Sequence, residues 1–321
     1  MALNKFSFLE LTNFPVTNQE VEIFKQATWF RNNAAKSHFY MIVSRPKVNF
    51  KAVKSEKLNA INGMQQFDIW SGDTLKDKFI LRPEEVPEVK ALEEGAPYVL
   101  GREGPVLVLC KDGNPQVNAD VYHDWTIQKL IWERSRNSPW ILGLDKYREF
   151  QTFNLLYVGI APASNTLKRL IEGAHHARQK ILSNEYPIEY GTRVSDEVHI
   201  LMFEINPMFL QDLKDDADVL NPLFVDGYEE SPIIKDAEKA FVSLLHPKYN
   251  AQLYQSYPAG KDGIYDAGFD GYSYSLAENI ILNSPAGAFI GARDNSGLLF
   301  SNEADSIYVS GDEVKIINFR D

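Results

Sequence analysis

Cysteine is nearly absent. Cys110 is the single one in 321 residues, which excludes an intramolecular disulfide and suits a reducing cytoplasm. Long apolar runs are also missing, and no stretch approaches the ~18 uninterrupted apolar residues of a membrane span. The opening segment, Met1 to Phe14, lacks an apolar run followed by a small-residue cleavage site, so no secretory leader and no membrane partner are expected. There is no internal repeat and no low-complexity tract. Neither zinc-finger spacing nor a G-x-x-x-x-G-K-[ST] loop occurs, so P-loop nucleotide hydrolysis is not expected. What remains is ordinary for a globular protein: 44% hydrophobic, 24% charged and 12% aromatic residues, enough for well-filled cores. The length implies two domains, or one core with large additions.

Positive charge is scarce too. The formal net charge is −11, which opposes binding to a polyanion unless acid and base are segregated along the chain. They are segregated. One basic island holds Arg45, Lys47, Lys51, Lys54 and Lys57 against Glu56. A second holds Lys168, Arg169, Arg178 and Lys180 against Glu172. Between Glu204 and Lys239 acids far outnumber bases. The two islands are therefore candidate nucleic-acid contacts: Arg45, Lys47, Lys51 and Lys54 in the first, Lys168, Arg178 and Lys180 in the second.

Along the chain, Asn18 is a candidate cap for a short helix. His38–Val43 is a β-prone run ended by Pro46, and Phe67–Trp70 and Lys78–Leu81 read as further strands. Pro105–Cys110, a turn at residues 112–114, and Gln116–Tyr122 form a candidate hairpin. Asp124 is the expected cap of an amphipathic helix carrying Ile127, Leu130 and Ile131 on one face. Asn154–Ile160 reads as a buried strand. One continuous helix is expected over Thr166–Leu182, capped near Ser164 and Asn165. Val198–Ile205 is the next strand, followed by an acidic loop and a short helix, Asp236–Leu245, stopped by Pro247. The tail from Gly260 alternates as strands and reads as a small β unit or a wrap. Three consecutive regions result: 1–115, an α+β unit for target recognition; 116–255, a core with its lead-in helix; and 256–321, a β-rich extension.

Four polar residues stand at telling places in that core. Tyr157 lies in a strand and is followed by Val158 and Gly159. Arg169 stands ten residues after Gly159, one turn into the next helix. Glu238 opens the second helix, and Asn250 follows it by twelve, with Phe241, Val242, Pro247 and Tyr249 between. Singly each has a plain structural explanation: a core tyrosine, a surface arginine, a helix-dipole carboxylate and a turn asparagine. Their joint order and spacing point to chemistry.

This set resembles the GIY-YIG nuclease family, over roughly residues 147–255. The Tyr-Ile-Gly signature strand matches Tyr157-Val158-Gly159, the catalytic arginine matches Arg169, and the metal-binding glutamate and its downstream asparagine match Glu238 and Asn250. The first signature tyrosine should stand on a strand shortly before. Tyr147, ten residues before Tyr157, is the candidate, although no glycine adjoins it, and Tyr122 is the alternative. The resemblance implies an α+β fold with a small, mainly antiparallel sheet flanked by helices. It implies hydrolysis of phosphodiester bonds in nucleic acid, DNA before RNA, by an endonuclease of the restriction or phage-defence type. A catalytically silent nucleic-acid- or nucleotide-binding subunit is the alternative.

The chemistry suits the residues. Mg²⁺ (or Mn²⁺) needs one or two carboxylates and keeps several waters, which Glu238 would satisfy. Arg169 can fork to phosphate oxygens, Tyr157 or Tyr147 would relay a proton, and Asn250 would steady the glutamate or a tyrosine. On an unbroken helix His176 returns close to the face of Arg169 whereas His175 does not, so His176 is the preferred proton relay. Glu185, Asp196 and Glu197 could add carboxylates. A double-strand cutter with one such site per chain needs a dimer or successive nicks, so a homodimer or a protein partner is expected.

Overall fold

A computed structural model describes residues 3–52, 64–93, 96–103, 105–111, 121–173, 175–211, 230–294 and 301–318. Lys54, Lys57, the turn at residues 112–114 and most of the acidic loop lie outside them. From the N-terminus run β1 (Leu3–Leu11), β2 (Val16–Thr17), α1 (Asn18–Phe24), α2 (Thr28–Lys36) and β3 (Phe39–Ser44). Next come β4 (Val48–Ala52), β5 (Gln65–Ser71), β6 (Thr74–Leu81), α3 (Pro87–Lys90), β7 (Val99–Glu103), β8 (Val106–Cys110), β9 (Val121–Trp125), α4 (Ile127–Ser135), β10 (Ile141–Gly143) and α5 (Tyr147–Phe150). Then follow β11 (Thr152–Ile160), a π-helical turn at Leu167–Glu172, α6 (His176–Asn184), α7 (Val194–Glu197), β12 (Val198–Gln211) and α8 (Glu230–Leu245). The chain continues with β13 (Gly271–Leu276), β14 (Ile281–Ser284), β15 (Gly287–Ile290), β16 (Ser306–Ser310) and β17 (Glu313–Ile317). Among the described residues no helix is long and apolar enough to cross a membrane.

The chain divides into two compact units. The larger holds residues 1–45, 152–186 and 193–321; the smaller holds 46–151 and 187–192. The division cuts across the three consecutive regions read from the sequence, because the main part of the smaller unit, 46–151, is inserted between β3 and β11.

The larger unit carries one sheet of ten strands, in the order β15-β14-β11-β3-β12-β1-β13-β16-β17, with β2 beside β12. Most neighbours are antiparallel, but β1 pairs parallel with β13 and β11 parallel with β14. This corrects the expected fold class. With seventeen strands among the described residues and ten of them in one mixed sheet, the fold is β-rich, not a small antiparallel sheet flanked by helices. The physical reason is pairing between segments far apart in sequence. The tail that reads as a separate β unit supplies both edges: β14 and β15 extend the sheet beyond β11, and β13, β16 and β17 extend it beyond β1.

Strand alternation sets what each face meets. Phe39 and its cross-strand partner Phe203 turn to one face, where their rings lie 6.1 Å apart. α8 covers that face with an apolar stripe, Ile233, Ile234, Ala237, Ala240, Phe241 and Leu245, all buried. Phe241 packs on Phe39 at 5.7 Å and on Phe289 at 5.4 Å; burying such a ring contributes roughly 1.5–3 kcal/mol. Tyr40, next to Phe39, points to the opposite face.

Caps differ in detail from expectation. Thr17, not Asn18, caps α1, in a reciprocal box with Glu20. Thr126, not Asp124, caps α4, because Asp124 ends in the ladder of β9. The expected helix over Thr166–Leu182 breaks at Gly173, and α6 starts afresh at His176 with His175 as its cap.

The inserted unit has two antiparallel sheets, β10-β6-β5-β4 and β7-β8-β9. Its core includes Phe50, Phe67, Phe79, Leu107, Leu109, Trp125 and Leu130. Phe67 and Phe79, opposite in register, stack at 5.0 Å. The buried Glu133 carboxylate accepts the indole N–H groups of Trp125 at 2.8 Å and Trp140 at 2.7 Å, and its other oxygen bonds His123 at 3.0 Å.

Candidate active site

Five of the six residues proposed for chemistry meet in one place. A cavity of about 480 Å³ in the larger unit is lined by Tyr157, Arg169, His176, Glu238 and Asn250, together with His175, Tyr249 and Tyr254.

β11 brings Tyr157 there through a bulge. Leu155 pairs with Val43, but Tyr157 pairs with Ile42, so Leu156 is an extra residue. Without the bulge Tyr157 would stand opposite Met41, on the wrong face. With it, Tyr157 shares a face with Tyr40, and their rings lie 6.2 Å apart. A bulge re-aims one side chain without ending the strand. Gly159 is required at the same spot, because a Cβ there would lie 2.6 Å from the Tyr157 ring and 2.6 Å from the Tyr40 hydroxyl oxygen.

Of the two expected partners of Asn250, the glutamate or a tyrosine, it does not bond the glutamate and instead holds the backbone beside Tyr157. Its side chain pairs with the Val158 backbone, accepting the N–H at 2.9 Å and donating to the C=O at 2.8 Å. The Tyr249 N–H donates to the Leu156 carbonyl at 2.9 Å. Together they act as a short neighbouring strand along the bulged stretch of β11.

Tyr147 is not in the cavity. It packs on the core of the inserted unit under the guanidinium of Arg134, 5.4 Å from its ring centre. Its expected place beside Tyr157 is taken by Tyr40, from the β-prone run His38–Val43. Tyr40 is fully buried, and its strand pairs antiparallel with β11, Tyr40 opposite Gly159. The only sequence signal was a tyrosine in a β-prone run. Spacing could not find it, because residues 46–151 stand between the two strands.

His175, not His176, touches the tyrosines. The break before α6 removes the unbroken-helix geometry that favoured His176. His175 Nδ1 accepts the Arg178 backbone N–H at 3.1 Å as the helix cap, so the ring proton of the neutral form sits on Nε2. Nε2–H therefore donates to the Tyr40 hydroxyl at 2.7 Å. Burial, with Arg169 nearby, pushes the His175 pKa down to about 4. The ring is thus neutral at pH 7, with no free lone pair for base chemistry. His176 is exposed and lines the cavity.

Charge in the cavity is finely placed. Burial raises the Glu238 carboxyl to about 7, and the Tyr254 hydroxyl and Arg169 offset part of that rise. Glu238 is not in the first helical turn, because α8 already runs from Glu230. It lies four residues after Ile234 and three before Phe241, on the edge of the buried stripe. Among the described residues no cation lies within ion-pair distance of it, and no group of three or more His, Cys, Asp or Glu gathers as a metal cage. Tyr157 is raised by burial and by Glu238, with Arg169 and Tyr40 acting the other way. Tyr40 is raised by burial first and Tyr157 second.

The proposed nucleic-acid contacts separate. Arg45 is 4% exposed and lies over the Phe153 ring, 5.5 Å from its centre, so it is a core residue and not a phosphate contact. Arg178 is spent inside the fold, bonding Asn18 at 2.7 Å and the Leu170 carbonyl at 3.0 Å. Lys168 and Lys180 are exposed on the larger unit. On the inserted unit Lys47 is half-buried, and the exposed Lys51 lies 4.6 Å from the centre of the Trp70 ring. Glu185 is engaged by Lys248 at 2.6 Å and by the Tyr249 hydroxyl at 2.5 Å. Asp196 and Glu197 are buried in α7, away from the cavity lining.

Comparison with protein-family models, with curated proteins and with solved structures finds no match to this chain.

Proposed function

We propose that this protein is a divalent-metal-dependent endonuclease whose active site is the cavity around Glu238, and that its resemblance to GIY-YIG nucleases is one of site. The supporting observation is the convergence of Tyr40, Tyr157, Arg169, Glu238 and Asn250 on two antiparallel strands and their flanking segments. The first signature tyrosine is then Tyr40, with the inserted unit between the two signature strands.

The residues fit Mg²⁺ or Mn²⁺. Glu238 is a largely buried carboxylate without an ion-pair partner among the described residues, and such a group gains most from a cation. A metal bound there would polarise the phosphate and steady the leaving oxygen. Arg169 would grip two phosphate oxygens of the scissile diester. Glu238 opposes ionisation of Tyr157; a cation held on the carboxylate would reverse that influence and let the phenol give its proton to solvent. Tyr157, as phenolate, would take a proton from the attacking water. The water oxygen bonds to phosphorus, the P–O ester bond breaks, and the leaving oxygen regains a proton from solvent. His175 would hold the Tyr40 hydroxyl in place.

DNA is the favoured substrate, and the exposed Lys168 and Lys180 are the proposed backbone contacts on the larger unit. The lone thiol, Cys110, is buried, and the cytoplasm is the proposed location. Supercoiled plasmid, single-stranded DNA and RNA, each with Mg²⁺, Mn²⁺ or EDTA, test the reading in the wild type and in Glu238→Ala. Metal-dependent nicking or linearisation lost in the variant is expected. A folded wild type that cuts none of these substrates would overturn the stand-alone enzyme in favour of a binding subunit.

A further inference from the structure

Tyr254 does more than line the cavity. Its hydroxyl donates to Glu238 Oε2 across 3.4 Å, a long bond that is readily broken. Its backbone is left-handed, with φ of 48°, a region that bulky side chains rarely occupy and that marks positions held for a purpose. Among the described residues it alone lines all three of the cavities around it. Beside the cavity of Tyr157 and Arg169 lies one of about 390 Å³, lined in part by Lys235, Glu238, Lys239, Gln252 and Ser256. A third, of about 300 Å³, is lined in part by His246, Leu253, Tyr257 and Val314. Glu238 itself faces the first two.

From this geometry we infer that Tyr254 is a displaceable cap on Glu238. Its hydroxyl occupies Oε2, one of the two carboxylate oxygens, so a divalent cation held by that oxygen, or by both, requires the ring to turn away. The third cavity offers the displaced ring an aromatic and aliphatic wall in Tyr257, Leu253 and Val314. Its departure would join the two cavities that share Glu238 into one groove. A strand could then run from Arg169 past Glu238 towards Lys235, so the cap couples metal loading to opening of the strand path. Burial and Glu238 raise the Tyr254 hydroxyl to about 12, so it remains a hydrogen-bond donor at neutral pH. The inference rests on the metal-dependent reading of Glu238.

The test is calorimetric titration of Mn²⁺ into the full-length wild type, Tyr254→Phe and Glu238→Gln. It is paired with ¹⁹F NMR of protein carrying 3-fluorotyrosine, with the Tyr254→Phe spectrum assigning the resonance of position 254. Tyr254→Phe should bind Mn²⁺ about 2-fold to 3-fold more tightly, the low end of the worth of a hydrogen bond, because this one is long. The Tyr254 resonance should move on adding Mg²⁺ in the wild type but not in Glu238→Gln. Equal or weaker Mn²⁺ affinity in Tyr254→Phe, or an unmoved resonance while Glu238-dependent binding persists, would overturn the cap and leave the nuclease reading standing. Wild type that binds no Mn²⁺, or binds as well without Glu238, would overturn both.

Discussion

Replacing Asn250 with alanine tests whether the segment after α8 holds Tyr157 in place. The change removes two hydrogen bonds to the Val158 backbone, at 2.9 and 2.8 Å. Each is worth about 0.5–1.5 kcal/mol net, and a backbone group left without a partner away from water costs more. The expected destabilisation of the larger unit is therefore about 1–3 kcal/mol. Asn250→Asp should cost at least as much at neutral pH, because a carboxylate oxygen then faces the Val158 carbonyl. Acidification should recover part of it, since a protonated carboxyl can donate again. Tryptophan fluorescence is a poor reporter of this unit, which holds Trp29 whereas Trp70, Trp125, Trp132 and Trp140 sit in the inserted one. Hydrogen exchange at the Val158 amide reads the bond directly. Its protection should fall in Asn250→Ala while amides of β12 paired with β3 change little. Unaltered Val158 protection, with a urea midpoint shifted by less than the equivalent of about 0.5 kcal/mol, would show that the bulge is held by the sheet alone.

Two further outcomes follow from the same geometry. His175, pushed down to about 4 from an ordinary 6.5, makes the unfolded chain the better proton binder between those values. Its contribution to stability is present above pH 6.5 and fades as pH falls towards 4, partly because protonation removes the lone pair that caps α6; ring ¹H–¹³C spectra should show a histidine titrating near 4 that is missing in His175→Asn. In the inserted unit, Glu133→Ala removes the acceptor of both indole N–H groups and of the His123 bond, so it should destabilise that unit by about 1–3 kcal/mol or more, read by tryptophan fluorescence in urea; an unchanged transition would deny Glu133 its role as the hub.

Much of the local structure was legible in the sequence because local signals carry it. The β-prone runs around Phe39, Phe67 and Tyr157 form strands, and Tyr157, Arg169, Glu238 and Asn250, chosen by order and spacing, do converge on one cavity. What stayed hidden depends on partners distant along the chain. Alternation in β13 or β14 shows that a strand exists, but nothing in it says that β13 joins β1 and β14 joins β11. Tyr40 was invisible as a site residue because only the β3–β11 ladder brings it beside Tyr157 across an insertion. Arg45 and Arg178 look like free cations in sequence, since composition cannot show that one lies over a core ring and the other bonds a neighbouring helix. The face on which Tyr157 stands is set by one extra residue in β11, which a period-2 pattern cannot reveal before the opposite strand is known. Residue type and spacing decided which groups were available for chemistry; tertiary pairing decided which of them meet, because register and burial are properties of two segments together and not of either alone.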